Sequence, residues 1–199
     1  MEKITNQNVT LYHGTTSKRA QSILSEGQIR IDADLIYPSE DFILGMDTTP
    51  GYIYMTDTVA KAIMFGNKSQ IIEDETQFEF YIFELQVEVD RLEADLDEAR
   101  IQSLFDKSLL EIDQYDWEGS LKRLETVRTA DNLHVGTHIV RYAVLPTMMN
   151  GMHPLHKVTQ LAIHQRPGAE GFNSFLKDVP WKDVIRADAT GSKAAKTAT

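Results

Sequence analysis

Residues 9–12, VTLY, form a short apolar run with β-branched and aromatic members, the pattern of a buried strand. His13, Gly14 and Thr15 follow as a polar, glycine-containing break. The apolar period then changes: Ala20, Ile23 and Leu24 share one helical face, with Thr16 or Ser17 placed as N-cap. Gly27 supplies a left-handed stop, and residues 29–31 begin a second extended piece. The same strand-then-helix order recurs at 50–65, PGYIYMTDTVAKAIMF. Gly51 opens a strand over 52–56 that puts Tyr52 and Tyr54 on one face. Asp57 or Thr58 caps a helix whose apolar side holds Val59, Ala62, Ile63 and Phe65.

Between these units, residues 32–50 combine two Pro, a Gly and several acids with Leu35, Ile36, Tyr37, Phe42, Ile43 and Leu44. A long loop with apolar members folds over something, a pocket or a core edge. Residues 67–77 read as a polar turn, and 78–89 as a half-buried strand. In that strand Tyr81, Phe83, Leu85, Val87 and Val89 alternate with Ile82, Glu84, Gln86 and Glu88, so the carboxylates read as a solvent face, not an acid–base pair. Residues 90–112 are acidic and helix-prone, and 113–131 predict a helix through Leu121, Leu124 and Val127. This middle insert carries no catalytic signature. Strands are expected at 135–146 and 157–164, joined by a link over 147–155. A last helix over 169–176 and the segment 178–185 close the fold. Residues 187–199 are small, polar and free of aromatics, the composition of a disordered tail. With no repeat and no internal linker, residues 1–186 read as one domain.

Composition narrows the chemistry. At 199 residues and 42% hydrophobic content, the chain can bury one substantial core. No apolar run is long enough to span a bilayer, and the N-terminus lacks the features of a signal peptide. There is no Cys, which excludes disulfides and thiolate chemistry and makes a cytoplasmic location the default. No HExxH spacing occurs, and Pro154 separates His153 from His156, so no metal is expected. The net charge of −10 opposes a broad, phosphate-driven grip on nucleic acid. Lys18, Arg19 and Arg30 form a small basic area near the first helix, in which Lys18 and Arg19 read first as an ordinary solvated helix face.

Three stretches carry a family resemblance: HGT at 13–15, ILSEGQIRI at 23–31, and YIYMTDTVAKAIMF at 52–65. Together they resemble the catalytic fold of the diphtheria-toxin-like and PARP-like ADP-ribosyltransferases, over residues 1–65 well and over the rest in outline. The resemblance implies an α+β fold with a split core of two small mixed or antiparallel sheets flanked by helices. It implies an NAD-dependent mono-ADP-ribosyltransferase that releases nicotinamide, with NAD as substrate and no metal. His13 would bond the adenosine-side ribose hydroxyls. The Gly14 backbone would clamp the nicotinamide carboxamide, with Thr15 beside it. Tyr54 and Phe65 would sandwich the pyridinium ring, and Arg30 would lie near the adenine and diphosphate. Ala62 stands where many members have a carboxamide-binding Ser.

One departure matters. The family usually places a Glu at the start of a late strand, but here Thr137 and His138 occupy that place. These two are the first candidates for the third catalytic position, with Gln160 and Glu170 in reserve. The departure disfavours polymer elongation and favours a single transfer to a protein side chain or a nucleic acid. Toxin, phage effector and regulatory enzyme remain open roles, the first two bringing an antitoxin or inhibitor as a possible partner; no membrane partner is expected. Two alternatives stay open: an RNA 2′-phosphotransferase-like enzyme, and an inactive module that binds NAD or ADP-ribose.

Overall fold

The computed structural model describes residues 7–34, 48–109, 116–164 and 173–184. Strand β1 (Asn8–Thr16) runs straight through the His13-Gly14-Thr15 triplet, where local residue types predict a break. The cause is its neighbour. β4 (Glu79–Glu88) pairs with β1 antiparallel from Asn8↔Glu88 to Thr16↔Phe80, which holds the triplet extended. Helix α1 (Ser17–Glu26) starts at once, with the Thr16 hydroxyl accepting from the Arg19 N–H at 3.3 Å. It stops at Gly27, whose φ of +78° is the left-handed value a side chain resists. β2 (Gln28–Ile29) is the short extended piece beyond it.

The second unit repeats this plan with β3 (Ile53–Thr56) and α2 (Val59–Glu73), the latter capped by Thr58. α2 continues through residues 67–73, against the expected turn. Its polar residues there are buried and partnered: Asn67 Oδ1 accepts from the Met148 N–H at 2.8 Å, and Gln70 Oε1 from the Ser17 N–H at 2.8 Å. They tie the helix to two neighbouring segments, so polarity here marks joints and not solvent.

The remaining elements are β5 (Glu93–Ala94), α3 (Leu96–Ser103), α4 (Trp117–Leu124), β6 (Thr126–Thr129), β7 (Leu133–His134), β8 (Ile139–Pro146), α5 (His156–His164) and β9 (Lys182–Asp183). Seven strands form one sheet in the order β5-β6-β3-β1-β4-β8-β9, and β2 pairs with β7 as a two-stranded ribbon. The pairings between these strands are antiparallel. The protein is thus mixed α and β, with a strongly unequal pair of sheets in place of two small ones.

Three expectations are corrected. β4 is a central strand with both faces covered. Phe83, Leu85 and Val87 join one core with Leu11, Ile53, Met55 and Val127. Phe80 and Ile82 join another with Ala62, Ile63, Ala143 and Leu145. Glu84, expected in water, is buried and paired with Arg141 at 2.5 Å. Residues 157–164 are helical, not a strand: Val158, Thr159 and Ala162 point into the second core at helical spacing, and a short apolar run cannot by itself decide between the two. Val127 is not helical. α4 ends at Leu124, Glu125 takes φ +58°, and Val127 enters β6 opposite Met55.

The apolar loop residues 35–44, the expected tail at 187–199 and the first half of the helix expected at 169–176 lie outside the described residues. Ser174–Asp178 forms a short 3-10 turn. Among the described residues, no helix is long and apolar enough to cross a membrane.

Candidate functional site

β1 pairs with β3 at Tyr12↔Thr56. Around that junction lies a cleft of about 1180 Å³, bounded by α1, α2 and the start of α3. His13, Gly14, Thr15, Arg30, Tyr54 and Phe65 all line it. Residues 41 apart in the chain are thereby joined: His13 Nδ1 lies 2.8 Å from the Tyr54 carbonyl oxygen. A carbonyl only accepts, so Nδ1 carries the hydrogen, and Nε2 of the neutral ring is left as an acceptor. Burial lowers the His13 pKa and the Arg19 charge acts the same way, against the opposing effect of the Tyr54 carbonyl. The ring is therefore neutral at pH 7.

Gly14 is a glycine for a reason other than ligand approach. A Cβ there would lie 2.0 Å from the Ala62 carbonyl oxygen and 2.7 Å from the Gly66 nitrogen. The missing side chain admits the backbone of α2, which in turn brings Phe65 to the cleft. Ala62 itself is fully buried, with no room for a contact from its side chain to a ligand.

The Tyr54 phenol is within hydrogen-bond reach of the Thr49 carbonyl at 3.0 Å and donates to the Asp97 carboxylate. Burial raises its pKa, and the bond to Asp97 and that group's charge raise it further. Tyr54 is accordingly a neutral wall and not a base. Burial alone would push Asp97 up, but the bonds from Tyr54 and Thr49 and the nearby Arg100 hold its carboxyl below the usual range. Behind Tyr54, the Arg128 guanidinium lies 3.8 Å from the Tyr52 ring centroid and is itself buried. On α2, the Lys61 ammonium lies 5.9 Å from the Phe65 ring centroid and 3.6 Å from the Glu98 carboxylate.

The polar rim is largely self-paired. Arg30 holds Asp32 through two contacts of 2.8 and 2.7 Å and approaches Glu26 at 3.8 Å. Arg19 holds Glu73 at 3.1 Å, and Glu73 also accepts from the Thr16 hydroxyl. An anionic ligand that engages Arg19 or Arg30 would have to exchange with these carboxylates; the exposed Lys18 also lines the cleft.

Thr137 and His138 are not among the residues lining the cleft. They sit in the β7–β8 turn, where His138 Nδ1 accepts from the His134 N–H at 2.9 Å. Gln160 is exposed on α5, and Glu170 lies outside the described residues. Sequence reasoning missed the cleft carboxylates: Glu26, Asp32, Asp34 and Glu73, and, in the first turn of α3, Asp97 and Glu98. An acidic first turn after an Asp N-cap reads as ordinary helix capping, so the chain offers no local sign of their position. Among the described residues, no group of His, Asp or Glu is arranged to hold a metal ion. The chain matches no protein-family model and no curated protein sequence.

Proposed function

We propose that this protein is an NAD-dependent mono-ADP-ribosyltransferase of ADP-ribosyltransferase-like fold, moving ADP-ribose from NAD to a macromolecular acceptor. The observation that carries this reading is the His13–Tyr54 junction. A neutral imidazole with an open acceptor nitrogen stands beside an aromatic wall, and Phe65 faces the same cleft. A flat aromatic slot suits a cationic pyridinium, and a neutral His Nε2 suits a ribose hydroxyl.

In the reaction the bond between ribose C1′ and the pyridinium nitrogen breaks. Nicotinamide leaves with the electron pair, C1′ takes up oxocarbenium character, and the acceptor nucleophile bonds to C1′ and loses its proton. Little covalent help is needed from the protein, which positions the donor and stabilises positive charge. Asp97 braces the Tyr54 ring, Glu98 is paired with the Lys61 ammonium at 3.6 Å, and Gly14 and Thr15 line the cleft.

A second reading, a module that binds NAD or ADP-ribose without turnover, is favoured by one observation: Thr137 and His138 do not reach the cleft. Arg19 and Arg30 are already paired with carboxylates, which an NAD diphosphate and an RNA 2′-phosphate would alike have to displace, so this pairing does not separate a 2′-phosphotransferase from the transferase. Titrating NAD while following nicotinamide release separates the readings. Release that disappears in a folded Tyr54→Ala variant supports the transferase; tight binding without release supports the module; no binding refutes both. Labelled NAD incubated with a cell lysate then identifies the acceptor class, by whether label survives protease or nuclease.

A further inference from the structure

We infer that Asp97 is a positioning residue for the aromatic wall of the cleft, locking the Tyr54 ring and the chain that enters β3. The inference rests on the reading of that cleft as a pyridinium site. One Asp97 oxygen accepts from the Thr49 N–H at 2.7 Å and from the Tyr54 phenol, and the other accepts from the Thr49 hydroxyl at 2.8 Å. These partners lie 48 and 43 residues away in sequence, so a single buried side chain ties α3 to both ends of the stretch that leads into β3. The platform beneath it is rigid. Asp95 caps α3 by accepting from the Glu98 N–H at 2.9 Å. Its own N–H donates to the Ser120 hydroxyl at 3.0 Å, which donates to the Thr126 carbonyl at 2.7 Å. The next residue, Glu98, ties α3 to α2 through Lys61, whose ammonium lies 5.9 Å from the Phe65 ring centroid. The first turn of α3 therefore holds the Tyr54 ring directly and is joined by an ion pair to the helix that carries Phe65. With its oxygens engaged by Tyr54 and Thr49, Asp97 acts through the ring and not on the substrate.

A slot held open in the bound geometry saves the ordering cost on binding, so its loss is read in affinity. The test measures the NAD dissociation constant, and KM against kcat for nicotinamide release, in Tyr54→Phe, Asp97→Ala, Asp97→Asn and the double variant Tyr54→Phe/Asp97→Ala. The two losses, Tyr54→Phe and Asp97→Ala, should each weaken NAD binding about tenfold, with KM rising more than kcat falls. The double variant should also lose about tenfold, not a hundredfold, because both changes remove one interaction. Asp97→Asn, which keeps an acceptor oxygen, should recover affinity to within about threefold of wild type. Additive losses, or an unaffected Asp97→Ala beside an impaired Tyr54→Phe, would overturn the inference.

A ligand-free measurement keeps it testable if Asp97→Ala does not fold or wild type does not bind NAD, the latter refuting both NAD readings of the cleft but not the bracing of Tyr54. Tyrosinate absorbance followed against pH, with Tyr54→Phe subtracted, isolates the Tyr54 phenol. Removing the Asp97 charge in Asp97→Asn should let that phenol ionise at lower pH. An unchanged Tyr54 component would show that Asp97 does not govern the ring.

Discussion

Replacing Gly14 with Ala tests how the cleft floor is built. The new Cβ would lie 2.0 Å from the Ala62 carbonyl oxygen and 2.7 Å from the Gly66 nitrogen. Favourable non-bonded separations are about 3.5 Å, so α2 must retreat by more than about 1 Å. Both obstacles are helix backbone, and no side-chain rotation relieves them. α2 is also committed elsewhere: Ala62 and Ile63 are fully buried against Phe80, Ile82, Ala143 and Leu145. Retreat would open gaps in that core, so the cost belongs at the upper end of overpacking, about 3 kcal/mol. With a urea m-value of about 2 kcal/mol/M, the unfolding midpoint should fall by about 1.5 M. Gly151→Ala, with nothing within 4 Å, should leave the midpoint in place. Gly27→Ala meets no atoms either but sits at φ +78°, and should cost about 1 kcal/mol through backbone strain alone. A Gly14→Ala midpoint indistinguishable from that of Gly151→Ala would refute the close β1–α2 packing, and with it the placement of Phe65 on the cleft.

Other expectations follow from the same geometry. Burial raises the pKa of Asp95 from its ordinary 3.8 to about 6, so the folded state holds this proton more tightly than the unfolded state and stability drains through this group as pH rises from about 4 to 6. Asp95→Asn keeps a capping side chain without the charge, and urea unfolding should show it gaining up to about 3 kcal/mol on wild type between pH 4 and pH 7; a constant difference would contradict the assignment. His13 has its pKa depressed below 6.5, so its contribution to stability is complete above that pH and is lost as pH falls through the folded value. NAD affinity measured by calorimetry should accordingly be flat from about pH 8 to 6.5 and weaken only below, and a midpoint above 6.5 would show that the ring is not held neutral. Phe65→Ala should weaken NAD binding about tenfold while far-ultraviolet circular dichroism stays unchanged, since Phe65 is only partly buried.

Much of the site was legible along the chain because its parts are local. Thr16, Gly27 and Thr58 mark helix ends by interactions spanning three or four residues, and the structure uses each as its residue type suggests. His13, Gly14, Thr15, Tyr54 and Phe65 stand in two short motifs, and all five line one cleft. Where a residue's setting depends on distant chain, local reading fails. The alternation in 78–89 implies a wet face, yet β4 lies between β1 and β8 and its Glu84 is buried against Arg141. The polar residues of 67–77 imply a turn, yet Asn67 and Gln70 are buried joints of α2.

The sequence alone thus determined the strand–helix units, their caps and the identity of the residues offered to the cleft, because backbone preference and hydrophobic period act over a few residues. The tertiary structure alone decided that Asp97 braces Tyr54, that α2 occupies the space beside Gly14, and that Thr137 and His138 stand apart from the cleft. Those outcomes depend on which faces meet when segments more than 40 residues apart close on one another, and no local pattern encodes that.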